Sequence, residues 1–199
     1  MNKIIFYTQR VSIVESYNER RDCADQMIPV FLSRCGYIPM PVPNVPNIIE
    51  EILKNVEPSG VFLSGGNSLC KYGGDAPERD EVEKFIVNWA INRNLPILGI
   101  CRGMQFLADY FGADLKKIEN HVGIRHAVIG LINRESVNSY HTFGIFNLLD
   151  DIKILGRAPD GSIEAFEHKT LNISAIGWHP ERENNFSIDD INLVNKIFK

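Results

Sequence analysis

Short apolar runs alternate with segments of helical hydrophobic spacing along the first half of the chain. Runs at residues 3–8, 37–42, 60–63 and 97–100 have the length of strands, and the last two are apolar throughout. A continuous apolar run of this length is typical of a strand buried on both faces. Because helical segments separate these runs, the pattern predicts a mostly parallel sheet with right-handed crossovers, covered by helices in a three-layer α/β/α arrangement.

The helical segments are recognised by apolar residues at i, i+3, i+4 and i+7, which place one apolar face toward the sheet. The first of them carries Pro29 inside the pattern, so we expect a kink there or a start later than Ala24, and an end near Gly36. A last helix is expected to begin near Ser187, whose side chain can cap it, with Asp190 at position N3. The others are predicted at residues 48–56, 82–90 and 104–111.

The second half of the chain has a different pattern. After Leu115 the helical spacing fades, and we expect a smaller, β-rich half. The polar stretch at 9–22 shows no regular pattern, and no linker or repeat divides the chain, so one domain covering residues 1–199 is predicted. The short strand candidates of this half are residues 127–129, 152–155 (ended by Gly156), 162–165 and 172–176.

The strand at 97–100 runs directly into the helix at 104–111 through the sequence Gly99-Ile100-Cys101-Arg102-Gly103. Glycines on both sides of so sharp a turn relieve backbone crowding, and the turn residue is pushed out of the sheet, as in the G-x-S-x-G nucleophile elbow. The N-terminal end of a helix favours a thiolate, and Arg102 adds a positive charge. Cys101 is therefore a candidate nucleophile; the alternative is a buried cysteine with a structural role.

A thiolate nucleophile needs a base and a group that orients the base. Of the five histidines, His179 follows a probable strand in the sequence Trp178-His179-Pro180-Glu181. Because a residue before proline avoids the α region, we expect an extended segment in which Glu181 and His179 point the same way. Glu181 could then fix the tautomer of His179.

Composition narrows the function classes. The net charge of −4 gives no general attraction to nucleic acid or to an anionic membrane, and no apolar run is long enough to span a bilayer. The apolar run within residues 1–7 is too short for a signal peptide and is soon followed by polar residues, so a cytoplasmic location is expected. The four cysteines lack C-x-x-C spacing, which favours free thiols over disulfides or a zinc site.

Three motifs, Ser64-Gly65-Gly66, the stretch 99–105 and the stretch 178–181, resemble a class I glutamine amidotransferase domain over nearly the whole chain. The resemblance implies a flavodoxin-like fold and a triad of Cys101, His179 and Glu181. It also implies an oxyanion hole made by the backbone N–H groups of Gly66 and Arg102, and a role for Gln105 in holding a glutamyl head group.

Within that family the chain resembles the γ-glutamyl hydrolases (peptidase C26 type). The carrying stretches are residues 64–67, 79–80, 137–141 and 160–165, whereas Thr142-Phe143 replace the usual His-Gln. The resemblance implies hydrolysis of the γ-glutamyl amide bond of a small compound through a γ-glutamyl thioester, without a metal or organic cofactor. A γ-glutamyl phosphoramidate of a cytidine nucleotide, as in capsule biosynthesis, is a candidate substrate. The substrate-binding residues so implied are Gly65, Asn67, Gln105, Ser139, Tyr140 and His141.

The leaving-group side of the site is expected to lie toward the polar stretch 9–22 and the loop 72–79. Arginine suits phosphate because its planar fork binds two oxygens, whereas ordinary surface ion pairs are the alternative role. The candidates are Arg10, Arg20, Arg21 and Arg79.

Two other functions stay open on the sequence. A glutaminase that feeds ammonia to a partner synthetase is the first, and a non-catalytic binding or redox-sensing protein that uses only the reactive cysteine is the second. Partner-dependent glutaminase activity would identify the first, and trapping of a thioester would exclude the second. The oligomeric state is left undetermined.

Overall fold

The computed structural model of the protein describes residues 3–199, and Met1 and Asn2, part of the expected N-terminal strand segment, lie outside the described residues. The strands, in chain order, are β1 (Ile4–Tyr7), β2 (Arg10–Val14), β3 (Glu19–Cys23), β4 (Ile38–Pro41), β5 (Gly60–Leu63), β6 (Ile97–Ile100), β7 (Leu115–Lys117), β8 (Val122–Gly130), β9 (Arg134–Tyr140), β10 (Phe143–Ile145), β11 (Ile152–Arg157), β12 (Ile163–His168) and β13 (Ile173–Ile176). The α-helices are α1 (Met27–Arg34), α2 (Pro46–Asn55), α3 (Pro77–Asn92), α4 (Arg102–Tyr110) and α5 (Ile188–Ile197), and 3-10 helices cover Cys70–Tyr72 and Pro180–Arg182.

A nine-stranded sheet in the order β4-β1-β5-β6-β13-β12-β11-β8-β9 runs through the molecule. The pairings from β4 to β13 are parallel, and those from β13 to β9 are antiparallel. The expected α/β class is therefore confirmed, and the β-rich second half continues the same sheet with antiparallel strands. Both loops that carry the predicted chemistry follow the carboxyl ends of parallel strands, where sites in such sheets form.

Helices cover both faces of the parallel part, and alternate residues of each strand enter the two cores. Phe6 of β1 packs in a core with residues of α2, α3 and α4, whereas its neighbour Ile5 packs with residues of α1 and α5. In β5, Val61 and Leu63 enter the first core and Phe62 enters the second. This alternation produces the predicted three layers.

The polar stretch 9–22 forms an antiparallel hairpin of β2 and β3, for which the sequence predicted no element. β3 is polar and largely exposed, and the alternation in β2 covers only five residues, so the pattern is too short to reveal the hairpin. The hairpin is held instead by side chains from distant loops. The Asn67 side chain accepts the Val11 N–H through Oδ1 and donates to the Val11 carbonyl through Nδ2. Asn44 Nδ2 donates to Asp22 Oδ1 at 2.7 Å.

Three strands of the second half were also not predicted, namely β7, β9 and β10. Two of them contain only three residues, and β9 carries the polar sequence Arg-Glu-Ser-Val-Asn-Ser-Tyr. The prediction that Gly156 ends a strand was wrong. Gly156 lies inside β11, where the register with β12 shifts, and an added Cβ there would lie 2.4 Å from Val128 Cγ1.

The helix ends follow their sequence signals. α1 begins at Met27, which places Pro29 in its first turn, and Gly36 follows its end with a φ of +93°. The Ser187 hydroxyl accepts from the Asp189 N–H at the start of α5. Among residues 3–199, every helix is too short or too polar to cross a membrane.

Candidate active site

The turn between β6 and α4 holds Cys101 in a backbone conformation that is rare for a residue with a side chain, with φ +48° and ψ −106°. The surrounding atoms leave room only for glycine at positions 99 and 103, two residues before and two residues after Cys101. A Cβ added at Gly103 would lie 2.2 Å from the Leu63 carbonyl oxygen, and one at Gly99 would lie 2.6 Å from the Gly103 carbonyl. The turn has the elbow geometry that the sequence pattern predicts, and strain of this kind concentrates at functional positions.

His179 follows β13 and lies beside Cys101, close enough for each side chain to shift the pKa of the other. Its Nδ1 lies 2.7 Å from Glu181 Oε1, inside a buried contact. The reason given from the sequence was incomplete, because only His179 is extended and Pro180–Arg182 turns into a 3-10 helix. The turn still brings the carboxylate back to the ring.

Asn138 holds the backbone of His179, a role that the sequence did not reveal. Its Nδ2 donates to the His179 carbonyl at 2.8 Å, and its Oδ1 accepts the His179 N–H at 2.9 Å. On the other side of the ring, a Cβ added at Gly65 would lie 2.6 Å from His179 Cε1. The imidazole is therefore fixed by its backbone and by the glycine loop as well as by Glu181.

The electrostatics of the site favour an ion pair between thiolate and imidazolium. Burial raises the pKa of Cys101, but the charge of His179 and the hydrogen bond to it outweigh burial, so the pKa lies below its ordinary value. Burial lowers the pKa of His179, but Cys101 and then Glu181 outweigh burial and raise it to about 10. A thiolate is the form that attacks carbonyl carbons.

We expect iodoacetamide to alkylate Cys101 faster at pH 7 than an ordinary thiol, because its lowered pKa leaves a larger share of it ionised, whereas only a few per cent of an unperturbed thiol is ionised there. Cys35 is an internal control, since burial and then Asp190 raise its pKa to about 12. Mass spectrometry of digested protein would give both rates. Alkylation of Cys101 that slows tenfold per pH unit below pH 8 would contradict the ion pair.

The two residues predicted to form the oxyanion hole with their backbone N–H groups lie on the glycine loop after β5 and at the start of α4. Gly66 has a φ of +84°, and Arg102 is the first residue of α4; within residues 3–199 neither N–H donates to a protein acceptor. Arg79 fixes the glycine loop from behind, since its guanidinium donates to the carbonyls of Gly66 at 2.7 Å and Ser64 at 2.8 Å.

The side chain of Arg102 does not face the thiol, contrary to the expected added charge. It forms ion pairs with Asp80 and Glu83 of α3, and Glu83 also pairs with Arg79 at 3.0 Å. Arg79, Glu83 and Arg102 are 0%, 0% and 1% exposed. Arg79 is therefore a buried structural residue and no longer a candidate for phosphate binding. This buried ion network links the helix after the nucleophile to the loop that carries Gly66.

The residues predicted to bind substrate fall into two groups. Gln105 and His141 line a small cleft beside Cys101, and Gln105 Nε2 donates to the Phe143 carbonyl at 2.9 Å, which leaves its Oε1 free. The Tyr140 ring contacts His179 edge-on, with centroids 5.7 Å apart.

Two residues of the predicted substrate set have no polar group left for a ligand. The Asn67 amide bonds Val11, Arg79 and Asp75, and the fully buried Ser139 donates to the His121 carbonyl at 2.7 Å. Both therefore shape the loops of the site instead of contacting substrate through their side chains.

Comparison with known proteins gives a consistent picture. Residues 21–188 match the family described as glutamine amidotransferase class-I. The chain is 36% identical over 194 residues to the γ-glutamyl-CDP-amidate hydrolase of Campylobacter jejuni, covering 96% of this chain and 95% of that protein. It is 32% identical over 147 residues to the glutamine-hydrolysing subunit of GMP synthase from Pyrococcus abyssi, covering 69% and 74% of the two chains.

The fold comparison agrees with the sequence comparison. The crystal structure of a GMP synthase subunit from Thermoplasma acidophilum superposes with a TM-score of 0.74 at 22% identity, covering all of this chain and 94% of that one. At this identity the likeness shows the fold alone. The match over residues 21–188 and the 36% identity to the C. jejuni protein establish that this chain belongs to the class I glutamine amidotransferase family, as an amide hydrolase.

Proposed function

We propose that this protein hydrolyses the γ-glutamyl amide bond of a γ-glutamyl-CDP-amidate and releases glutamate, with all of residues 1–199 forming one catalytic domain. The observation that carries the proposal is the buried contact of Cys101, His179 and Glu181 at the end of parallel strands. The substrate is supported by the similarity over nearly the whole of both chains to a C. jejuni protein named for that activity.

Catalysis begins from the thiolate of Cys101 and the imidazolium of His179. The sulfur attacks the γ-carbonyl carbon, and the carbonyl π electrons move onto oxygen. As the tetrahedral intermediate collapses, the C–N bond breaks and the proton of His179 Nε2 passes to the leaving nitrogen. A γ-glutamyl thioester and the free amidate result.

Hydrolysis of the thioester uses the same base. Neutral His179 takes a proton from water while the water oxygen attacks the thioester carbonyl, and collapse breaks the C–S bond. Glutamate leaves, and the thiolate and imidazolium are restored. Glu181 keeps the Nδ1 proton in place during both steps, so Nε2 is the nitrogen that exchanges protons.

The N–H groups of Gly66 and Arg102 are proposed to bind the oxyanion formed in both steps. Each such donor typically stabilises the transition state by about 3–4 kcal/mol. Because Arg79 holds the carbonyls of the glycine loop, the Gly66 N–H is already oriented before substrate arrives.

Of the four arginines considered for the leaving group, Arg10 is the one that fits. Arg20 pairs with Glu78, and Arg21 pairs with Glu19. Arg10 is exposed on β2, has no carboxylate within 4 Å in residues 3–199, and packs over the glycine loop, where a Cβ added at Gly66 would lie 2.8 Å from Arg10 Cδ. Its guanidinium is close enough to that loop to reach a phosphate on the leaving group.

We expect Arg10→Ala to lower kcat/KM for γ-glutamyl-CDP-amidate by about 10- to 100-fold, the effect of one hydrogen bond to a charged group. For γ-glutamyl-p-nitroanilide, which has no phosphate, the loss should be less than twofold. Arg21→Ala on the same hairpin is the matched control and should change neither value. Equal losses on both substrates for Arg10→Ala would contradict a phosphate contact.

We expect Glu181→Gln and His179→Ala both to lower kcat, and the Glu181→Gln enzyme to keep a kcat about 100-fold higher than the His179→Ala enzyme. The glutamine disturbs the orientation of the base without removing it. Steady-state kinetics on γ-glutamyl-p-nitroanilide, with circular dichroism to confirm folding, would measure both. Equally severe losses in folded variants would mean that Glu181 acts directly in the chemistry.

Glutamate release from a panel of γ-glutamyl compounds tests the proposed function itself. The expected result is a kcat/KM for γ-glutamyl-CDP-amidate well above those for glutamine and γ-glutamyl-p-nitroanilide. Glutamine as the preferred substrate, with turnover that rises on adding a synthetase, would instead identify a glutaminase that serves a partner chain. The similarity to the glutamine-hydrolysing GMP synthase chain of P. abyssi makes that the second candidate.

A further inference from the structure

Three histidines and one glutamate converge behind the catalytic cleft in a cluster that the proposed reaction does not use. The cluster consists of His121, His126, His141 and Glu164, with one nitrogen or oxygen of each lying within 4.8 Å of all the others. All four side chains are at most 8% exposed. They come from four places in the chain, so only the fold brings them together.

Each histidine has its outer ring nitrogen occupied by an acceptor. His126 Nδ1 lies 3.1 Å from the Ala127 carbonyl, and His141 Nδ1 lies 3.0 Å from the Phe143 carbonyl. Because a carbonyl only accepts, these nitrogens carry protons, and each Nε2 faces inward, where the neutral ring can offer its lone pair to a metal.

In His121 the outer nitrogen is Nε2 and the inner nitrogen is Nδ1. Its Nε2 lies 3.1 Å from Asp160 Oδ2, and Asp160 is itself held by the hydroxyl and N–H of Ser162. The inner nitrogen, Nδ1, has one weak neighbour in Ser139 Oγ at 3.4 Å, whose proton goes to the His121 carbonyl. Acceptors of this kind commonly orient histidines that bind metals.

The inner atoms of the cluster lack protein partners. Among the described residues, His126 Nε2, His141 Nε2 and both carboxylate oxygens of Glu164 are buried without a hydrogen bond. Glu164 Oε1 lies 3.3 Å from His141 Nε2, and 3.8 Å from both His121 Nδ1 and His126 Nε2. A single proton could bridge the shortest of these pairs, but it would leave the other two nitrogens without a partner.

A tetrahedral metal ion would satisfy all four groups at once. Ligand atoms about 2.0–2.1 Å from Zn²⁺ lie about 3.3 Å from one another, so the four side chains, whose ligand atoms lie within 4.8 Å of one another, would move inward on binding. Imidazole and carboxylate are borderline-to-hard ligands that suit Zn²⁺. We propose that His121, His126, His141 and Glu164 bind one Zn²⁺ per chain in a closed structural site. The cysteine spacing in the sequence predicted no zinc site; this site would use only imidazole and carboxylate ligands.

The cluster lies between the catalytic cleft and the strand that leads to His179, so a bound metal would hold these two parts together. His141 lines the cleft beside Cys101, and Glu164 packs on the strand end that leads to His179. The carbonyl of Glu164 accepts the Gly177 N–H at 2.7 Å, and a Cβ added at Gly177 would lie 2.0 Å from Glu164 Oε2. Zn²⁺ would therefore fix both walls of the catalytic cleft relative to each other, without taking part in the Cys101 chemistry.

Metal content and affinity test the proposal without an activity assay. Protein produced with added zinc should contain one Zn²⁺ per chain by mass spectrometry of the elements, and chelator-treated protein should take up one equivalent in competition with a chromogenic chelator. Co²⁺ should give visible d–d absorption of a tetrahedral site. No uptake by the folded wild-type chain would overturn the proposal, whatever the variants do.

Variants distinguish this site from binding by the catalytic thiol. Cys101→Ser should keep full uptake, and the Co²⁺ form should lack a sulfur charge-transfer band. Glu164→Gln and His126→Ala should each weaken Zn²⁺ binding by at least about 100-fold, and Asp160→Asn by about 10-fold. His168→Gln, outside the cluster, should bind as wild type. Full affinity in folded His126→Ala and Glu164→Gln proteins, or loss of binding in Cys101→Ser, would place the metal elsewhere.

Discussion

Replacement of Cys101 by serine is expected to leave the fold intact and to reduce kcat by about 10⁴-fold or more, the effect of removing a nucleophile from a triad. Serine has nearly the same volume and can occupy the same strained turn, so packing around β6 and α4 is preserved. What is lost is the ionised sulfur, because a hydroxyl is not deprotonated by the same neighbours.

Steady-state release of glutamate, together with thermal melting, would measure both effects. Cys70→Ser is the matched control, since Cys70 lies on a 3-10 helix, is not a member of the triad, and has a pKa that burial raises. In wild-type protein, rapid acid quenching should trap a γ-glutamyl thioester on Cys101. Substantial turnover by folded Cys101→Ser protein would show that another group is the nucleophile.

The largest effect on stability is expected for Glu83→Gln. The Glu83 carboxylate is fully buried between Arg79 and Arg102, and its removal leaves two buried guanidiniums short of negative charge. Breaking a buried pair in this way costs about 3–5 kcal/mol. For a chain of this length the melting temperature should fall by roughly 10 °C. Because the same network holds the glycine loop, kcat should fall as well.

The pH dependence of this effect has a definite sign. Burial disfavours ionisation of Glu83, but Arg102 and Arg79 outweigh burial and lower its pKa. A lowered folded-state pKa gives stability that is present above the unfolded value and is lost as pH falls through the folded value. The difference between wild type and Glu83→Gln should therefore shrink in acid. Glu81→Gln, on an exposed position of α3, is the control, and a loss as large for Glu81→Gln would contradict this account.

The elements that the sequence predicted well are those whose signal is local. The Cys101 turn is marked by its two glycines, and β5 and β6 by unbroken apolar runs, so their bounds agree with the structure. The caps at Gly36 and Ser187 are equally local, because each depends on one residue beside a helix end.

The features that were missed depend on contacts between distant parts of the chain. Arg79 and Arg102 look like free charges in the sequence, because only the packing of α3 against α4 shows that both are buried with Glu83. The same holds for Asn138, whose amide meets a backbone 41 residues away. Residues of the histidine–glutamate cluster are spread over more than 40 positions, so no spacing rule could bring them together.

The β2–β3 hairpin has a consequence for how this family could change substrates. The hairpin is attached mainly through Asn67, Asn44 and the Arg20–Glu78 pair, and it contributes little to either core. A different hairpin grafted between β1 and α1 should therefore change the specificity for the leaving group, while the triad keeps its geometry.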